Sequence, residues 1–160
     1  MRPRPVGALA MLMLAFLPAM ALAQTAAACP EGRAPAGDLG IRGLRCVGPN
    51  AACAIFVADA DGGLRHSFAV EPTVTEVDAS FFADGAGLEV GDVLVAIDGR
   101  LITTREAGRY LASLPLDSQV SMVLRRAGRL QEVRVRSRAG CGIRSLSVVL
   151  TPDSAGGAAN

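Results

Sequence analysis

Apolar and polar residues alternate at strand spacing along much of the chain. Thr73-Val74-Thr75-Glu76-Val77 has the pattern of a half-buried strand, and Val120, Met122 and Leu124 alternate with polar neighbours. Arg126-Ala127-Gly128-Arg129 then turns the chain, and Leu130, Val133 and Val135 return it as a hairpin with an arginine-rich outer face. Val93–Ile97 is a continuous apolar run between the turn dipeptides Gly91-Asp92 and Asp98-Gly99, as a core strand requires. Leu39–Val47 reads as extended but is interrupted by Gly40 and Gly43, which marks a bend or a close backbone approach. Ala52–Ala58 and Leu64–Val70 flank the turn Asp59–Gly63 and predict a second hairpin; Ile143–Leu150 predicts a last strand.

Helical spacing occurs in two places. Ala107, Tyr110, Leu111 and Leu114 lie on one face at i, i+3, i+4 and i+7, and Pro115 ends the run. Thr103-Thr104-Arg105-Glu106 reads as a capping box at its start. A shorter helix is predicted through Phe81, Phe82 and Ala83, capped by Asp78 or Ser80 and closed at Gly87.

The first residues change the picture. Arg2 and Arg4 precede an apolar run, Val6–Leu22, and Ala21-Leu22-Ala23 forms a small-x-small cleavage site before Gln24. This is the pattern of a secretory signal over 1–23; the run is short for a membrane anchor. Ala26-Ala27-Ala28-Cys29 only weakly imitates a lipoprotein site, because the apolar run ends too early. The expected mature chain has an Ala/Pro/Gly-rich flexible leader at 24–37, one domain over 38–138, and an extension at 139–160 with a mobile tail at Ser154–Asn160.

All 16 basic residues are arginine, against 15 acids, for a net charge of +1. Removing Arg2 and Arg4 leaves a near-neutral protein, and aromatic residues are only 4% of the chain. Neither property suits nucleic acid as the main partner. The arginines at 125, 126, 129, 134, 136 and 138 read as a solvated face rather than an anionic-lipid site.

All four cysteines lie beyond the cleavage site, which in an exported small domain indicates disulfides. Cys46–Cys53 would close a short loop through Gly48-Pro49-Asn50, leaving Cys29–Cys141 to tie the domain ends together. Metal binding by Cys46, Cys53, Cys141 and His66 is disfavoured, since the Cys46–Cys53 spacing is not that of a zinc knuckle. No metal or other cofactor is expected. His66 is the sole histidine, and no Gly-x-Ser-x-Gly setting accompanies it, so an enzyme is not expected.

The segment Gly85-Ala86-Gly87-Leu88-Glu89-Val90-Gly91-Asp92, leading into a strand that ends in Asp98-Gly99, resembles the hallmark of PDZ domains. Asp98-Gly99-Arg100-Leu101-Ile102-Thr103-Thr104 is similar to the Asp-Gly-x-x-Ile-Thr-Thr run of PDZ modules in exported bacterial proteins. Some of those also carry a cysteine pair after the first glycine-rich strand, where this chain has Cys46 and Cys53. The resemblance covers about 38–138. It implies an α+β fold: a small, partly open antiparallel β-barrel or sandwich of five to six strands with two helices. It also implies a turn-capping role for Asp92.

The function implied is binding of an extended or C-terminal peptide in the periplasm or outside the cell. The peptide would add as a strand between residues 39–46 and the helix at 104–114. Its carboxylate would rest on the amides of Leu39-Gly40-Ile41 or of Arg42-Gly43-Leu44. Ala107 and Leu111 would line the pocket for its last apolar residue, and Arg45 would face acidic ligand side chains. The helix lacks a first-turn histidine, so an apolar or undemanding preference is expected. The partner is a peptide or protein C-terminus, with no nucleic acid and no membrane insertion after signal cleavage. Two other roles fit the same residues. In one, the hairpin at 54–70 or the strand at 143–150 fills the groove edge and the domain is a self-occluded scaffold. In the other, the chain acts in trans on an envelope protease or secretion machine.

Overall fold

A computed structural model describes Cys29, residues 35–81 and residues 87–151. The expected signal segment, most of the leader, Phe82 and Ala83 of the first helix, and the tail Ser154–Asn160 lie outside the described residues.

The strands are β1 (Ala36–Asp38), β2 (Ile41–Gly48), β3 (Cys53–Ala58), β4 (Leu64–Phe68), β5 (Thr73–Val77), β6 (Val93–Ile97) and β7 (Arg100–Leu101). After helix α1 (Arg105–Ala112) come β8 (Gln119–Arg126), β9 (Arg129–Arg136), β10 (Arg138–Gly140) and β11 (Ser145–Leu150). Ala79–Phe81 forms a single 3-10 turn.

A seven-stranded sheet runs in the order β11-β2-β5-β6-β8-β9, with β7 paired to β6. β1–β10 and β3–β4 are separate two-stranded ladders. The sheets are open, so the expected partial barrel gives way to an open sheet with two small flanking ladders. Segments flanking the expected core add strands. Ala36 and Gly37 of the expected leader pair with Gly140 and Ala139, and residues 145–150 join the large sheet as an outer strand. Gly37 also donates its amide to the Leu114 carbonyl at 3.0 Å, which seats the leader against the end of α1.

Local sequence explains the central elements. Val120, Met122 and Leu124 are fully buried on alternating positions of β8; Leu94 and Ile97 of β6 are fully buried as well, on either side of a register shift between Leu94 and Ala96. Ala127 and Gly128 turn the β8–β9 hairpin with φ of 47° and 77°, the left-handed pair that matches strand twist. Helix α1 is capped by Thr104, one residue later than the predicted box. Its hydroxyl accepts from the Ala107 amide at 3.3 Å and donates to the Leu101 carbonyl at 2.7 Å. That frame places Glu106 one position too early to reach back, and it pairs with Arg100 at 2.8 Å.

Two disulfides cross-link the described residues. Cys46 and Cys53 join β2 to β3, and Cys29 joins Cys141, immediately after β10. This usage fits an oxidising, exported environment. No helix among the described residues is long and apolar enough to cross a membrane.

Candidate functional site

The glycine-rich segment bends where a left-handed residue permits it. Gly40 has φ of 77°, and β2 starts at the next residue. The turn therefore falls at Leu39-Gly40-Ile41. Arg42-Gly43-Leu44 lies inside β2, with Gly43 and Leu44 paired on both sides.

A register shift against β5 between Ile41 and Gly43 makes Arg42 the extra residue of a bulge. The bulge breaks strand alternation, so Leu39, Ile41, Arg42 and Leu44 are all buried. Arg42 donates from one terminal nitrogen to both Asp38 carboxylate oxygens, at 2.9 and 2.8 Å, and from the other to Asp78 at 3.0 Å. Its guanidinium also sits 5.0 Å from the Phe81 ring centroid. Asp38 was not singled out from the sequence, and Arg42 was named only as part of the amide loop Arg42-Gly43-Leu44, not for its charge. A charged residue at alternating spacing reads as solvent-facing, and only the bulge turns it inward.

The other edge of β2 is occupied by the chain itself. β11 runs parallel to it, from Ser145 opposite Gly43 to Leu150 opposite Gly48. The preceding residues follow the same edge: the Arg144 amide donates to the Arg42 carbonyl at 2.9 Å. Gly43 allows this closeness, since a Cβ there would stand 2.9 Å from the Ser145 hydroxyl and 2.6 Å from that of Thr75.

Ile143, 3% exposed, packs in the core cluster with Leu39, Ile41, Leu111 and Leu114. Only about 20 Å³ of free space remains among those side chains, at the lower limit for a single water. Alongside, a larger cavity of about 260 Å³ is lined by Phe56, Leu64, His66, Leu111 and the Gly140–Gly142 backbone.

Helix α1 faces β4 rather than an open groove. A Cβ on Gly108 would lie 2.0 Å from the His66 carbonyl oxygen, so only glycine lets β4 approach this closely. Asp59 at the hairpin tip fastens the contact by accepting from both Arg105 and Arg109 of α1. The Arg105 hydrogen bond is the main cause that holds the Asp59 carboxyl far below the usual range.

The predicted site residues thus separate. Leu39, Ile41 and Leu111 meet around Ile143. Gly43, Leu44 and Arg45 lie along β2, with Arg45 exposed. Ala107 is fully buried beneath the helix and does not line either cavity.

The arginines of the β8–β9 hairpin are dispersed rather than gathered. Arg125 pairs with Glu71 at 2.6 Å. Arg126 grips the buried Asp92 with two nitrogens, each at 2.7 Å, while Asp92 also accepts from the Glu89 amide at 2.8 Å. Burial pushes the Asp92 carboxyl upward, but the Arg126 and Glu89 hydrogen bonds outweigh it and leave it below the ordinary value. Hydrogen bonds from Ser80, then Arg42, lower Asp78 likewise.

These shifts have one sign. A carboxyl depressed in the fold takes up its proton first in the unfolded chain, so stability is present above about pH 4 and is lost as pH falls through the folded values. Urea midpoints should hold level from pH 7 to pH 5 and decline below about pH 4. Asp92→Asn should flatten part of that decline.

Residues 73–126, which hold β5 through β8, match the family model of the PDZ domain. That segment is similar to PDZ domains, which as a family are peptide-binding, non-catalytic modules. The turn at Leu39-Gly40-Ile41, the β3–β4 hairpin and β11 lie outside the matched segment. One similar solved structure is the HtrA-type protease AlgWS227A with decapeptide, at 16% identity and a TM-score of 0.43. The likeness covers 79% of this chain but 32% of the protease, so the chain spans about a third of that protein's length. No curated protein matches the sequence.

Proposed function

We propose that this is an exported bacterial peptide-binding module, with its PDZ-like domain at about 38–138. In this reading β2 receives an extended partner segment by strand addition, and β11 holds that edge closed until the partner displaces it. The observation that carries the reading is the pairing of β11 along β2 from Gly43 to Gly48. A strand edge that accepts one extended segment accepts another by the same main-chain hydrogen bonds.

β11 is suited to exchange. Its pairing is parallel, the slightly weaker kind, and Val148, Val149 and Leu150 are exposed, the last by 69%. Only Ile143 and part of Leu146 anchor the segment in the core. The envelope location rests on the signal pattern and the two disulfides, and an accessory role beside an envelope protease is compatible with it.

The second reading is a permanently closed scaffold, favoured by the seating of Ile143 and by the Cys29–Cys141 link just before it. Binding to an immobilised peptide library separates the two. The oxidised chain should bind weakly, Val149→Pro should bind strongly, and adding Leu111→Arg to Val149→Pro should abolish binding. Folded proteins with no binding in any form would establish the scaffold.

A further inference from the structure

The turn before β2 already holds a carboxylate of its own. The Gly40 amide donates to one Asp38 oxygen at 2.7 Å, and the Gly142 amide donates to the other at 2.9 Å. Arg42 bonds both oxygens, and Asp38 is 1% exposed. Glycine at 140 makes room for this group, since a Cβ there would lie 2.2 Å from the Asp38 oxygen. The nearest cation is shared between Asp38 and Asp78. A ligand C-terminal carboxylate at this turn would meet a buried like charge, with its amide and its arginine already engaged.

The segment that fills the pocket is also not a chain end. Ile143 enters as an internal residue, with the Gly142 carbonyl within 3.5 Å of Arg42 and the Arg144 amide bonded to the Arg42 carbonyl. Gly142 has φ of 69°, a conformation that favours glycine, and turns the chain into the pocket. Three residues on from Ile143, Leu146 packs against the core.

From these two observations we infer that the site recognises an internal Gly-aliphatic-x-x-aliphatic segment and does not need a free C-terminal carboxylate. The inference rests on the peptide-binding reading above and names its partner class: an extended loop or unfolded stretch of a polypeptide. Residues 142–146 of the chain itself, Gly-Ile-Arg-Ser-Leu, are the template.

The test uses the oxidised full chain carrying Ile143→Ala and Val149→Pro, which vacates the pocket and loosens the strand. Val149→Pro alone serves if the double variant does not fold. Three labelled probes are titrated by fluorescence polarisation. One is the peptide of residues 142–151 with acetylated and amidated ends. The others are an eight-residue peptide ending in Gly-Ile, made as a free acid and as an amide.

The capped internal peptide should bind tightest, and the acid and amide should agree within about threefold. A free acid that binds more than threefold tighter than its amide, or tighter than the internal peptide, overturns the inference and leaves the peptide-binding reading intact. Absence of binding by all three probes overturns both.

Discussion

Val149→Pro in the oxidised chain is expected to raise its affinity for extended peptides about 30-fold. With Leu150 opposite Gly48 and the Thr151 amide donating to the Gly48 carbonyl, the Val149 amide faces β2, so proline there removes a donor from the ladder. The intact ladder has six pairs, outward side chains that are mostly exposed, and one deeply buried anchor in Ile143. Local opening of such a segment costs on the order of 2 kcal/mol. An edge free only about 3% of the time binds about 30-fold more weakly than one always free. Isothermal titration of both proteins with the capped 142–151 peptide reads the difference directly. Equal affinities would mean that β11 does not limit access.

The second large effect concerns the cross-links. Replacing Cys29 and Cys141 together by alanine should cost about 5 kcal/mol, against about 2 kcal/mol for the Cys46/Cys53 pair. The difference follows from the separations of 112 and 7 residues that the two bonds span. A domain this small has roughly 5–15 kcal/mol in total, so loss of the long link brings it close to unfolding. Urea denaturation of the two double variants at neutral pH provides the comparison. The long link has a second consequence, because Cys141 directly precedes Gly142 and Ile143. Its removal frees the base of the β11 segment, so any folded fraction should bind peptide better than the intact chain.

Elements set by local chemistry were legible in the sequence. The β6 strand between its turn dipeptides, the β8–β9 hairpin and the amphipathic helix each follow from neighbouring residues. Leu39 and Ile41 were named for the carboxylate turn, and Ala107 and Leu111 for the pocket; Leu39, Ile41 and Leu111 lie in one core cluster with Ile143. Arg42 was hidden because the β2 bulge turns a charge inward against the expected alternation. Asp38 was hidden because its bond to Arg42 needs the bulge and its third partner, the Gly142 amide, lies 104 residues away. For residues 145–150 the apolar run signalled a strand, yet a parallel partner about 100 residues away leaves no local trace. Asp59 read as a turn residue; its role in holding β4 to α1 depends on two arginines of a later helix.

Amide hydrogen exchange on β2 tests the closed edge most directly. In the oxidised chain without ligand, the account predicts protection for β2 amides facing β11 as well as for those facing β5. In Val149→Pro the amides facing β11 should lose protection while those facing β5 keep it. Rapid exchange along the β11 side of β2 in the unmodified chain would contradict the account, because the receiving edge would then already be open.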